Sequence, residues 1–152
     1  MPQIQDFKIR YAIPEDKTIL LPIIKKVINK VTDKTDYELI ERLFNKGLEN
    51  DEYSLLVLVN QQNIPKGYVF CTVTNLYFSY ITVACCLSIW VEEDSRQHSK
   101  DMIKAFEAWS KYKGADKMML ATFDKVSPEK LGKVYSRLGY STQEVQYWKD
   151  VE

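Results

Sequence analysis

Histidine is almost missing from this chain: His98 stands alone among 152 residues. One histidine and three cysteines with no Cys-x-x-Cys pair do not make a zinc ligand set, so no metal centre is expected. Cys71, Cys85 and Cys86 lie inside apolar, strand-like stretches. Their odd count, with no secretory leader, reads as buried free thiols in a reducing cytoplasm rather than a disulfide framework. Neither sign of charge is in excess, with 21 Lys plus Arg against 21 Asp plus Glu. A nucleic-acid binder carries a basic surplus, and that class is disfavoured. No apolar run approaches the roughly 18 residues a membrane span needs, so no membrane partner is expected. Motifs built on glycine are missing too: there is no P-loop, no dinucleotide fingerprint and no G-x-S-x-G turn.

What is present is an ordinary globular composition, 45% apolar and 28% charged, on a chain long enough for one domain with a substantial core. Residues 1–152 read as a single domain, without repeat or linker. "FKIRYAI" (Phe7–Ile13) alternates as a first strand. Beyond Pro14, the positions Ile19, Leu20, Ile23, Ile24, Val27, Ile28 and Val31 recur at helical spacing, with Pro22 expected to kink or delay that helix. Asp36 caps a second helix carrying Ile40, Leu43 and Phe44 on one side. "YSLLVLV" (Tyr53–Val59) is a continuous apolar run, as in a strand covered on both faces. A polar turn leads to "YVFCTVT" (Tyr68–Thr74), and "ITVACCLSIWV" (Ile81–Val91) reads as the central strand. A third helix comes next, with Met102, Ile103, Phe106 and Trp109 as its core stripe and Gly114 as its left-handed stop. "KMMLATF" (Lys117–Phe123) reads as a buried strand, Ser127-Pro128 as a capped helix start, and Gly139 as that helix's end. "STQEVQYWK" (Ser141–Lys149) reads as a closing strand. This order, β-α-α-β-β-β-α-β-α-β, predicts an α/β fold with a mixed sheet and helices on both faces.

The same order resembles the GNAT superfamily of acyl-CoA-dependent N-acetyltransferases. "RYAIPED" is similar to the family's opening strand and acidic helix entry. "LLVLVNQQNIPKGYVF" resembles its hairpin with a glycine-started third strand, and "AFEAWSKYKGADKMMLAT" its helix, glycine and strand beyond the cofactor loop. "KVYSRLGYSTQEVQYWKD" is the closest match, to an apolar-Tyr-x-x-Leu-Gly-Phe/Tyr ending. The resemblance implies a mostly antiparallel sheet of about six strands with about four helices. It also implies acetyl-CoA as cosubstrate and a small-molecule or protein amine as acceptor, in a cytoplasmic monomer or homodimer.

In that family a bulged strand leads to Arg/Gln-x-x-Gly-x-Gly/Ala and a helix, and together they hold pantetheine and pyrophosphate. The corresponding residues here are Ile89, Trp90, Val91, Arg96, Gln97, His98, Ser99, Lys100 and Asp101. Aligned on Val91 and Arg96, Gln97, Ser99 and Asp101 stand where glycines or small residues are expected. Aligned on Met102-Ile103 and Trp109, the loop is about two residues short and Gln97 and Ser99 take those places. Arg96 and Lys100 are placed to contact phosphate. Glycine-poor members of this kind occur among bacteriophage-encoded proteins.

Tyr135 matches the family's general acid, and it also reads as a core tyrosine between Leu131 and Leu138. Glu92 and Glu93 stand where a base is often carried; successive strand residues point to opposite faces, so at most one of them meets a cleft. A solvated strand end is the reading the residues themselves favour. His98 reads as an exposed loop residue, and Tyr77, Phe78 and Tyr80 as hairpin packing, with an acceptor pocket or an interface as the alternatives. These residues support two functions: an N-acetyltransferase, or a catalytically inactive GNAT-like domain that binds a protein or another ligand.

Overall fold

The computed structural model of the protein describes residues 7–122 and 127–151. The chain divides into two compact units, Met1–Ala121 and Thr122–Glu152. The first is built on five strands: β1 (Phe7–Tyr11), β2 (Tyr53–Asn60), β3 (Pro65–Asn75), β4 (Thr82–Val91) and β5 (Lys117–Met119). Their spatial order is the same as their sequence order. The first four strands pair antiparallel, and β5 joins β4 in parallel. That parallel pairing requires a crossover, which α3 (Ser99–Tyr112) supplies. The helices α1 (Lys17–Val31) and α2 (Tyr37–Glu49) precede β2. Five strands among the described residues agree closely with the mixed sheet of about six that was expected.

The apolar run of β2 is explained by burial on both faces. Leu55, Val57 and Val59 pack with Leu20 and Val27 of α1 and Phe44 of α2. Leu56 and Leu58 point the other way, against Met102, Phe106 and Trp109 of α3. Period-2 alternation therefore feeds two cores from one strand. Asp36 caps α2 as expected, accepting the Leu39 N–H at 2.9 Å. Helix α1 begins at Lys17, ahead of Pro22, so the proline does not delay its start.

Three expectations are corrected. β3, not β4, is the middle strand, and β4 lies next to the edge. The Lys117–Phe123 segment is not a buried strand: β5 spans three residues, Met118 and Met119 are over two-fifths exposed, and Phe123 lies outside the described residues. As an edge strand β5 pairs on one side only, which limits its burial. Ser141–Lys149 forms no strand, and Tyr147 and Trp148 within it are exposed; alternation permits a strand, but only hydrogen-bonded pairing makes one.

In the second unit α4 (Pro128–Arg137) starts with proline at its first position, where the missing N–H costs nothing. Ser127, expected as its cap, makes no side-chain cap bond and takes φ +43°. Gly114 (φ +70°) ends α3 in the left-handed region anticipated for it, and Gly139 (φ +92°), expected as the end of α4, takes the same region.

Gly67 marks a close approach of β3 to β4. A β-carbon there meets the Trp90 carbonyl oxygen at 2.8 Å and the Val91 Cα at 3.2 Å. Both obstacles are backbone, so relief requires the strands to part. Gly67→Ala is expected to lower stability by roughly 1–3 kcal/mol, in the range of core overpacking. Urea unfolding reads the loss, and an unchanged midpoint would remove Gly67 as a packing constraint.

Candidate functional site

Within β4 the pairing with β3 skips one residue. Cys71 pairs with Cys86 and Phe70 with Ser88, so Leu87 is the extra residue of a β-bulge. Its side chain is 45% exposed, alone among the apolar residues of the strand's middle. The bulge reverses the facing of the residues beyond it. Ala84 and Cys86, before the bulge, point to the α3 core; Ile89 and Val91, after it, do the same. Ser88, Trp90 and Glu92 are thereby turned to the face that α1 and α2 cover. Tyr68 Oη lies 2.8 Å from Ser88 Oγ there. Burial pushes the Tyr68 phenol far above its ordinary range, with the serine contact opposing, so it stays protonated.

The bulge also leaves an edge. β5 pairs only with Val83–Cys85, and among the described residues no strand pairs with that side of Ser88–Val91. The Glu92 N–H donates to the Lys66 carbonyl at 2.7 Å, one step beyond the Gly67–Val91 pair. That places Val91 opposite Gly67 as a non-hydrogen-bonded pair, with its own N–H and C=O turned away from β3. Ile89, two residues earlier, turns the same way. An extended ligand chain finds ladder-type groups on this edge in the N–H and C=O of Ile89 and the N–H of Val91, whose carbonyl already accepts from Arg96.

The loop beyond β4 explains how glycine can be absent. Glu93–His98 is a 3-10 helix running directly into α3. Among the described residues the non-glycine positions with positive φ lie elsewhere, so no loop residue needs glycine's freedom. The Ser99 N–H bonds the Arg96 carbonyl, and the Ser99 hydroxyl donates to that same oxygen at 2.8 Å. The helical run therefore opens at Glu93 rather than at Ser99, next to Glu92 and Asp94. Lys66, at 3.1 Å, and the Ser95 hydroxyl hold Asp94 below the ordinary aspartate range. Asp94 lies inside the turn and caps nothing.

Gln97 is exposed on this turn and Lys100 in the first turn of α3. His98 packs on the Phe7 ring at 4.3 Å, with Nδ1 3.2 Å from Asp101 Oδ2; it is not the freely exposed residue expected. Arg96 does not extend toward the α3 N-terminus. Its Nε donates to the Val91 carbonyl at 2.5 Å, and its guanidinium lies 4.5 Å from the Trp90 ring centre.

Trp90 is the hub on the α1 side. Lys30 Nζ stands 5.1 Å and Lys26 Nζ 5.7 Å from its ring centre. Lys26 is ion-paired with Glu92 at 2.8 and 3.1 Å, and Trp90 Nε1–H reaches Glu92 Oε1 at 3.3 Å. The two adjacent glutamates thus separate: Glu92 joins this group, and Glu93 is exposed on the 3-10 turn. In the second unit Tyr135 is buried, its ring 6.1 Å from that of Tyr140. The three cysteines are free and buried, and burial raises all three thiols, Cys86 to about 12. Tyr77, Phe78 and Tyr80 are exposed, not packed as hairpin core.

Sequence reasoning missed Leu87, Ser88, Tyr68, Lys26 and Lys30. The i, i+4 spacing of Lys26 and Lys30 placed them on one helix face, but nothing local said which strand residue they would meet.

No protein-family model matches the sequence, and no curated protein matches it. Solved structures do share its fold. An acetyl transferase from Pyrococcus furiosus, itself described as putative, superposes with a TM-score of 0.76 at 20% identity, covering 95% of this chain and 99% of that one. Glucosamine-6-phosphate N-acetyltransferase from Arabidopsis thaliana gives 0.73 at 16% identity, covering 96% and 99%. Ribosomal-protein-alanine N-acetyltransferase from Brucella melitensis gives 0.76 at 15% identity, covering 97% and 100%. The bulged β4, the helical run beside it and the layered sheet are thus parts of a GNAT fold.

Proposed function

We propose that this chain is an N-acetyltransferase that moves an acetyl group from acetyl-CoA to a primary amine. The observation that carries this reading is the open edge of β4 beyond Leu87. The N–H and C=O of Ile89 and the N–H of Val91 turn outward there, as pairing with a pantetheine arm requires, while the Val91 carbonyl is held by Arg96. In the transfer the amine nitrogen bonds to the thioester carbon, the carbon–sulfur bond breaks, and the amine's surplus proton leaves to a base. The departing thiolate takes a proton from an acid. Glu92 is the proposed base, with Lys26 and Trp90 Nε1–H fixing its carboxylate; Glu93, on the exposed turn, is the weaker choice. Tyr135 is the proposed acid, on the strength of the motif it matches. Arg96, Gln97, His98, Ser99, Lys100 and Asp101 form the loop beside the cosubstrate phosphates. The whole chain works as one cytoplasmic acyltransferase domain.

One observation favours a second reading, a GNAT-like module that binds a partner without catalysis. The first amides of the helical run sit among Glu92, Glu93 and Asp94, and carboxylates repel a pyrophosphate. Titration with acetyl-CoA separates the two. Ligand at about 100 times Kd raises stability by roughly 2.7 kcal/mol, visible as a rise in Tm. No rise at millimolar acetyl-CoA sinks the enzyme and leaves the binding module. Given binding, Tyr135→Phe is expected to lower kcat by roughly 10²-fold or more with Kd for acetyl-CoA within about twofold. Unchanged turnover removes Tyr135 from the chemistry.

A further inference from the structure

One primary amine of the chain already stands where a base would need its acceptor. A base takes a proton only from a group within hydrogen-bond reach, about 2.6–3.2 Å between heavy atoms. Lys26 Nζ meets that condition toward both oxygens of Glu92, at 2.8 and 3.1 Å. The glutamate end of the contact is anchored. Trp90 Nε1–H reaches Glu92 Oε1 at 3.3 Å, and Val91, whose N–H belongs to the open edge, directly precedes Glu92. The lysine end is loose, since its side chain is 49% exposed and an ion pair in contact with water holds its partners weakly. Among the described residues no other lysine touches Glu92. Lys66 pairs with Asp94 and Lys17 with Glu41, while Lys25 stands over Tyr37 and Lys30 over Trp90.

We propose that Lys26 is itself an acceptor, so that the chain acetylates this lysine within one molecule. The inference rests on the acetyl-transfer reading with Glu92 as its base, and adds a modification site to it. The Lys26 ammonium first gives one proton to water. Its nitrogen then bonds to the thioester carbon of acetyl-CoA, and the carbon–sulfur bond breaks. The surplus proton on nitrogen passes to Glu92, and the departing thiolate takes a proton from an acid. The products are Nζ-acetyl-lysine and CoA. A tethered amine reaches the thioester without the entropy of bringing in a second molecule. Acetyl-lysine carries no charge, so its ion pair with Glu92 is lost. An external amine, which otherwise has to displace Lys26, then meets a base that no internal cation occupies.

The test incubates the full chain with acetyl-CoA and follows it by intact-protein and peptide mass spectrometry. One added acetyl group at Lys26 is expected, formed at least about tenfold faster than at Lys25 or Lys30. Lys30 is exposed and has no carboxylate partner among the described residues, so undirected acylation would mark it at least as fast as Lys26. Equal labelling of the three lysines therefore overturns the inference. The rate constant should not change with protein concentration; one that rises with it means transfer between copies and overturns the inference as well. Glu92→Gln, checked for folding by circular dichroism, should slow the reaction roughly 10²-fold, and an unchanged rate would reduce it to uncatalysed acylation. A second measurement needs no acetyl-CoA. Lys26→Gln copies the uncharged, acetylated side chain and should move the indole N–H resonance of Trp90, assigned with Trp90→Phe, because Glu92 loses its cation. An unmoved resonance removes the contact on which the site depends. If acetyl-CoA raises Tm while Lys26 stays unmodified, self-acetylation falls and the transferase reading stands. No rise in Tm takes both away.

Discussion

Deleting Leu87 is expected to leave a folded chain that binds acetyl-CoA roughly 10- to 100-fold more weakly. The bulge residue is the one position in β4 without a partner in β3. Removing it places Cys86 directly before Ser88. An unbroken ladder then gives Cys86 to the α3 face and Ser88 to the α1 face, as they already stand. No core residue changes side, so stability should hold or rise, as read by urea unfolding. The kink that lifts the β4 edge out of the regular ladder disappears with the extra residue. One or two backbone hydrogen bonds to the pantetheine arm are lost, at about 0.5–1.5 kcal/mol each, and that sets the expected factor. Calorimetry measures it. Acetyl-CoA bound with unchanged affinity by the deletion variant would mean that the edge is not the cosubstrate's rail.

Asp16→Ala is expected to cost about 3 kcal/mol, at the lower end of the range for breaking a buried ion pair. The Asp16 carboxylate is 4% exposed. It accepts Arg10 Nη1–H at 2.7 Å, Arg10 Nη2–H at 2.9 Å and the Ile13 N–H at 2.9 Å. Alanine leaves a mostly buried guanidinium without its bidentate partner and a backbone N–H without an acceptor, where β1 hands over to α1. Against a typical domain stability of about 5–15 kcal/mol, that is a large fraction. The pH dependence carries a definite sign. Burial works to raise the Asp16 pKa, but the Arg10 hydrogen bonds, the Ile13 amide and the Arg10 charge together outweigh it, and the net shift is downward. A folded-state pKa below the unfolded value, near 3.9, contributes stability that is full above that value. It is lost as pH falls through the folded pKa. The parent should therefore lose stability steeply below about pH 4, while Asp16→Ala shows a shallower acid limb. Equal acid limbs for the two proteins would show that Asp16 is not the linked group.

Much of the frame was legible because each local rule pointed the same way. The β2 run predicted burial on both faces, Asp36 predicted a cap, Gly114 a left-handed helix end and Gly139 a helix stop, and each is found. The errors came where a strand depends on a distant partner. Lys117–Phe123 and Ser141–Lys149 have strand-like composition, but hydrogen bonds to another segment decide whether strand-like residues pair. The glycine-free loop was legible as a departure, though not as a solution. A 3-10 turn entirely at negative φ serves where glycine was expected, and a single chain cannot announce that exchange.

The sequence by itself determined which residues are apolar, at what period, and where helices must stop; these are properties of neighbours along the chain. It therefore determined the layered α/β frame. Only the tertiary structure decided what the end of β4 presents. Read by alternation from Thr82, Ser88 and Trp90 belong with Ala84 and Cys86 on the α3 face. One unpaired residue, Leu87, turns them to the α1 face, where Trp90 meets Lys26 and Lys30, and Glu92 meets Lys26. The physical reason is the two-residue period of a strand: a single insertion reverses every side chain beyond it. Whether an insertion is absorbed as a bulge is settled by the partner strand, not by the strand that carries it.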